Sequence, residues 1–141
     1  MKEDKLLAGV HRSAQTGLLT IPMLQQLTEC ERFREVTNKQ LRGYRRVCRA
    51  AKALAPKSGT ADFDMSCLAM ARAVICLKIG TITDRSSSHL AEMLIMGTTA
   101  GYTDLRRRIS EFKNAPRAVR VLAECLSDME ERHLADLRQF L

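Results

Sequence analysis

The sequence is defined first by what it lacks. It has no tryptophan, two tyrosines and four phenylalanines among 141 residues, so no row of aromatic side chains is present to stack nucleic-acid bases. No run approaches the ~18–20 uninterrupted apolar residues that a membrane span requires, and membrane insertion is not expected. The five cysteines, Cys30, Cys48, Cys67, Cys76 and Cys125, are odd in number and never spaced C-x-x-C. That pattern argues against a disulfide framework and against a zinc knuckle. Cys48, Cys76 and Cys125 have apolar neighbours and read as small buried hydrophobes. The stretch Met1 to Leu6 carries acids and no long apolar segment, so it does not read as a signal peptide, and a reducing cytoplasm is the expected compartment. No Gly-x-Ser-x-Gly elbow accompanies Ser86-Ser87-Ser88, which removes the simplest serine-hydrolase reading. No segment alternates with period two long enough to argue a half-buried strand.

What is present is helical periodicity. At 45% apolar residues the chain can bury a core as one domain over residues 1–141. Apolar positions recur at three and four. They predict helices over 3–27, with the seam Leu7, His11, Ala14, Leu18 and Ile21, and over 29–54, with Phe33, Val36, Leu41, Tyr44, Val47, Cys48, Ala51 and Leu54 inward. Thr28 with Glu31 reads as a capping box for the second of these. Residues 55–62 contain Pro56, Ser58 and Gly59 and read as a linker, after which Asp62 or Asp64 caps a third helix over 65–97. That helix is apolar on several sides, which predicts a central position, and Gly97 and Gly101 end it. A short helix over 104–113 follows. Asn114-Ala115-Pro116 then restarts the chain into a last helix over 116–139, with the seam Val119, Leu122, Leu126, Met129, His133, Leu137 and Phe140. The expected fold is all-α: an up-down-up-down four-helix bundle with one short extra helix between the third and fourth long helices.

All three histidines, His11, His89 and His133, fall on apolar seams, and two have a glutamate three residues away, Glu92 after His89 and Glu130 before His133. Residues three apart on a helix share a face, and imidazole with carboxylate suits iron, manganese or zinc. Three stretches carry a likeness to a known group. They are Gly17 to Pro22 running into Phe33-Arg34-Glu35 and Gln40 to Tyr44; Asp84 to Gly97; and Glu130 to Leu134 with Leu137, Phe140 and Leu141. Through them the chain resembles the ferritin-like superfamily of four-helix bundles, and within it small bacterial ferritin-like proteins. The resemblance implies a ferritin-like bundle and, by the family's chemistry, iron or manganese as the metal to look for.

The sequence departs from the di-iron pattern of paired Glu-x-x-His motifs. Only Glu130-x-x-His133 has the right order; His89-x-x-Glu92 is reversed, and Glu35-x-x-Asn38 lacks the histidine. If the first and last helices run in opposite directions, His11, Glu130 and His133 share one layer, and His89 and Glu92 lie in the other half. The candidate metal ligands are therefore Glu130, His133, His11, Glu92 and His89, forming an incomplete site.

The net charge of +7 is also unevenly placed. Residues 36–61 hold seven cations and no acid, while the rest of the chain holds sixteen of each sign. Lys39, Arg42, Arg45, Arg46, Arg49 and Lys52 form a stripe along one helix face, a surface suited to an anionic partner. Tyr44, the one aromatic within it, reads as core, and no recognised DNA- or RNA-binding motif accompanies it. The leading functional expectation is a structural or interaction bundle with an incomplete metal site, and not an enzyme. The alternatives are a metal-binding ferritin-like protein and a module that docks an anion or nucleic acid on the basic face. Apolar surface left uncovered would favour a homodimer.

Overall fold

A computed structural model describes residues 2–55 and 65–141 of the chain. Its elements are α1 (Lys2–Gln25), α2 (Glu31–Leu54), α3 (Met65–Gly80), α4 (Ser87–Glu111) and α5 (Arg117–Leu137), followed by a 3-10 turn (Arg138–Phe140). The protein is all-α, with no strand among the described residues. No helix among them is long and apolar enough to cross a membrane.

Each helix forms for local reasons. In α2 the buried positions Phe33, Val36, Thr37, Gln40, Leu41, Gly43, Tyr44, Val47, Cys48 and Ala51 repeat at three and four and leave the opposite face to charge. α4 starts where Ser86 takes the N-cap: its Oγ accepts from the His89 N–H at 3.2 Å, while the Asp84 carboxylate accepts from the Ser86 N–H at 2.9 Å. α5 starts immediately after Pro116, whose missing N–H lies where a helix has no intrahelical acceptor to offer.

Side-chain pairings fix the helix directions. Gln25 Nε2 donates to Thr37 Oγ1 at 2.8 Å while Gly17 lies against the Tyr44 ring, so α1 and α2 are antiparallel. Arg32 reaches Gln139 and Tyr44 reaches Glu130, so α2 and α5 are antiparallel. Arg106 meets Glu124 and Tyr102 meets Glu131, so α4 and α5 are antiparallel. Arg108 donates to the Lys5 carbonyl while Gly101 lies beside Ser13, so α1 and α4 are antiparallel. α1 and α5 therefore run one way, and α2 and α4 the other. The long helices follow an up-down-down-up order, not the alternating order expected. Parallel α2 and α4 oblige the chain to travel back along the bundle between Leu54 and Ser87. α3 belongs to that stretch and packs on α1.

The expected third helix is thus broken elsewhere. It ends at Gly80 and resumes at Ser87, because Thr81, Thr83, Asp84 and Ser86 offer the backbone caps and turns in place of helix bonds. α4 then runs unbroken through Gly97, Gly101 and Asp104, so the separate short helix expected over 104–113 is its last portion. α3 is not central either: Val74 and Leu77 are 47% and 73% exposed. α2 begins at Glu31 with Cys30 as its N-cap residue, and Thr28 Oγ1 accepts from the Cys30 N–H, so Thr28 makes a tight turn before the helix and no capping box. The linker residues 56–64, with the caps expected at Asp62 and Asp64, lie outside the described residues.

The core is aliphatic, with Leu6, Val10, Ile21, Leu24, Leu90, Leu105, Leu126 and Leu137 fully buried around Phe33. Each such side chain contributes roughly 1.5–3 kcal/mol of burial. Of the cysteines expected to be buried, Cys48 is, but Cys76 and Cys125 are exposed. Leu54, expected inward, is the last residue of α2 and is 38% exposed.

Candidate functional site

Two features stand apart from ordinary packing. The first is Glu130, on α5 and 2% exposed. Tyr44 reaches it from α2 because Gly17 leaves room on α1: a Cβ at Gly17 would lie 2.5 Å from the Tyr44 ring. The ring therefore rests on the α1 backbone, and its hydroxyl donates to Glu130 Oε2 at 3.2 Å. Ser13 of α1 donates a longer bond, 3.5 Å, to Oε1, and the Thr98 hydroxyl of α4 hydrogen-bonds Tyr44. Burial drives the Glu130 carboxyl up from 4.5 to about 7, opposed by the bonds from Tyr44 and Ser13. Tyr44 is pushed well above its ordinary value by burial and by the neighbouring carboxylate. The acid faces a cavity of about 320 Å³ between α1 and α4, the low end of the size range of small-molecule sites.

The candidate metal ligands do not gather around it. His133 packs its ring edge-on against Tyr44, centroids 5.0 Å apart. It is buried, its Nδ1 has no hydrogen-bond partner among the described residues, and burial lowers it to about 4. His11 is buried and its pKa lowered, first by burial and then by Lys52. Lys52 lies nine residues beyond Gly43, the α2 residue His133 packs against, which is roughly 13 Å along α2. His11 and His133 therefore occupy different layers, because α1 and α5 run parallel and not antiparallel as the shared layer requires. His89 is half-buried in the first turn of α4, and Glu92 is exposed one turn on. Among the described residues, no three of His, Cys, Asp and Glu come together as a metal-holding group. The residues present do not fit the di-metal centre that the resemblance implies.

No family model, curated protein or solved structure matches the chain. The assignment of function rests on geometry.

The second feature is the outer face of α2. Lys39, Arg42, Arg45, Arg46, Arg49 and Lys52 are all exposed, and every other residue between 39 and 52 is buried or half-buried. The solvent face of this segment is thus wholly cationic over about 20 Å. No carboxylate forms an ion pair with any of the six among the described residues; the ion pairs of the molecule involve Arg32, Arg34, Arg106, Arg107 and Arg108. The sequence stripe is therefore assembled as one surface. The sequence offered no sign of the Glu130 cavity beyond the small residues Gly9, Ser13 and Gly17 on α1 and Gly97 and Gly101 on α4.

Proposed function

We propose that the protein is an interaction bundle that docks the phosphate backbone of duplex nucleic acid on the outer face of α2. The observation that carries this reading is that every exposed position from Lys39 to Lys52 is a lysine or arginine and none is ion-paired among the described residues. About 20 Å of duplex axis presents roughly six phosphates on one strand, at 3.4 Å each, which matches six cations in number. A backbone contact of this kind is independent of sequence. The stripe exposes no aromatic side chain to stack an unpaired base, since Tyr44 is buried, and this favours duplex over single strand.

The bundle that carries the stripe is read as ferritin-like. Its support is the up-down-down-up order with a single long crossover, the connectivity of ferritin-like bundles. A metal-handling role draws no support from the candidate ligands, which lie apart.

The test is fluorescence anisotropy with a labelled 20-base-pair duplex at low salt. The expected result is saturable binding that is abolished in an Arg42→Glu, Arg46→Glu, Arg49→Glu variant and insensitive to base sequence. Equal binding by the variant would overturn the reading, as would no binding by the wild type at the lowest salt tested.

A further inference from the structure

The cavity beside Glu130 is independent of the α2 face. We propose that it is a binding site for a small organic cation, a primary ammonium on a short apolar stem. In this site the ammonium meets the Glu130 carboxylate and the Tyr44 hydroxyl oxygen, and the stem lies against Leu94 and Leu105.

Three observations carry the inference. The floor is a carboxylate 2% exposed, held by hydroxyl groups and, among the described residues, by no cation. Above it the lining adds Arg12 and Asp104, and Asp104 is itself ion-paired with Arg107 and Arg108, so Glu130 is the acid of the lining that no ion pair among the described residues neutralises. An anion placed at the floor would be repelled, and a neutral group would leave an ionised carboxylate uncompensated in a site shielded from water. Second, the walls combine these acceptors with apolar surface, including Leu94 and Leu105 of α4, the composition of a ligand site with a few placed polar groups.

The third observation is Gly97. It sits mid-helix in α4 at the exposed mouth of the cavity, and nothing lies within 4 Å of where its Cβ would be. Glycine at an interior helix position is less favourable than alanine by about 1 kcal/mol. In α1 and α2 glycine is explained by close approach, as at Gly17 against Tyr44. Close approach does not explain Gly97; its missing side chain leaves the mouth of the cavity uncovered. Gly101, one turn on, also lies over the acid: its Cβ would stand 3.8 Å from Glu130 Oε2, so a longer side chain there would cover the carboxylate.

The test is an NMR titration of the full chain at pH 8 with benzylammonium, and with benzyl alcohol as the neutral analogue of matched shape. The expected result is saturable shifts at the amides of Gly97, Thr98 and Gly101 with benzylammonium. The alcohol should bind at least about tenfold more weakly, because it lacks the charge that Glu130 selects. Glu130→Gln, which keeps the size of the side chain and removes its charge, should weaken benzylammonium by a similar factor, and Gly97→Leu should abolish binding by covering the mouth of the cavity. Affinity should also fall as pH drops below about 7, where Glu130 takes up a proton. Equal binding of alcohol and ammonium, retained binding in Gly97→Leu, or no saturable shift in the wild type (a cavity holding water only) would each overturn the proposal. The comparison of alcohol with ammonium uses the wild type alone, so it stands even if a variant fails to fold.

Discussion

The outer face of α2 and the floor of the α1–α4 cavity are the two places where this molecule concentrates charge, and they do so under opposite conditions. On α2, six cations stand in water without ion-pair partners among the described residues. Solvent screens their mutual repulsion, so the face can be altered with little effect on folding. At the floor of the cavity one carboxyl stands nearly dry, and its protonation equilibrium moves from 4.5 to about 7. Charge in the first setting is a property of the surface, and in the second a cost to the fold. A feature that costs stability at the floor of a cavity points to a ligand; a feature that costs almost nothing must be tested by binding.

The comparison can be broken or sharpened in several ways. The largest effect is expected on α2: Arg42→Glu, Arg46→Glu and Arg49→Glu together should lower duplex affinity more than a hundredfold. The same variant should shift the unfolding free energy by no more than about 1 kcal/mol, as exposed substitutions do. Anisotropy and urea unfolding on one preparation check both halves.

The next effect concerns the buried acid. Its folded-state value lies above its ordinary one, so the folded form binds the proton more tightly than the unfolded chain. Stability should therefore fall as pH rises from about 4.5 through about 7, by about 3 kcal/mol in total. His133 acts in reverse. Lowered from 6.5 to about 4, it takes stability away as pH falls from about 6.5 to about 4. Over that shared range the two should nearly cancel in the wild type. Glu130→Gln should be more stable than wild type by about 2 kcal/mol at pH 8 and should then lose stability on acidification below pH 6.5. Urea unfolding across pH checks this; a Glu130→Gln protein weaker than wild type at pH 8 would contradict it.

Smaller effects separate the two glycines. Gly17→Ala places a methyl 2.5 Å from the Tyr44 ring and should destabilise by about 1–3 kcal/mol, the range for overpacking. Gly97→Ala meets open space and should stabilise by about 0.5–1 kcal/mol. Thermal unfolding of the pair would show whether the α1–α2 contact is tight and the α1–α4 side open.

Much of this was legible in the sequence. The amphipathic pattern of α2 located both its buried row and its cationic row, because a periodic face on one helix needs no knowledge of its neighbours. The break at Gly80–Ser87 was less visible: Thr81, Thr83, Asp84 and Ser86 signal caps and turns, but the apolar run on either side reads as continuous. Gly97 and Gly101 misled in the opposite sense, since glycine ends helices often, and here the third and fourth turns of α4 hold it beside the cavity. Helix direction was not legible at all. The relative sense of α1 and α5 depends on the path between Leu54 and Ser87, and it decides whether His11 meets His133. The Glu130–His133 spacing places both residues on one face of α5, yet the partners of Glu130, Tyr44 and Ser13, come from α2 and α1, and periodicity within one helix does not reveal them.

The account turns on whether the α2 face engages phosphates. The most direct measurement is the salt dependence of duplex binding by the wild type and by variants lacking one, two and three of Arg42, Arg46 and Arg49. With six contacts, log affinity should fall against log salt with a slope of about −5, and each arginine replaced by alanine should reduce its magnitude by about 0.9. A slope that stays the same as the arginines are removed would place binding elsewhere on the molecule and contradict the account.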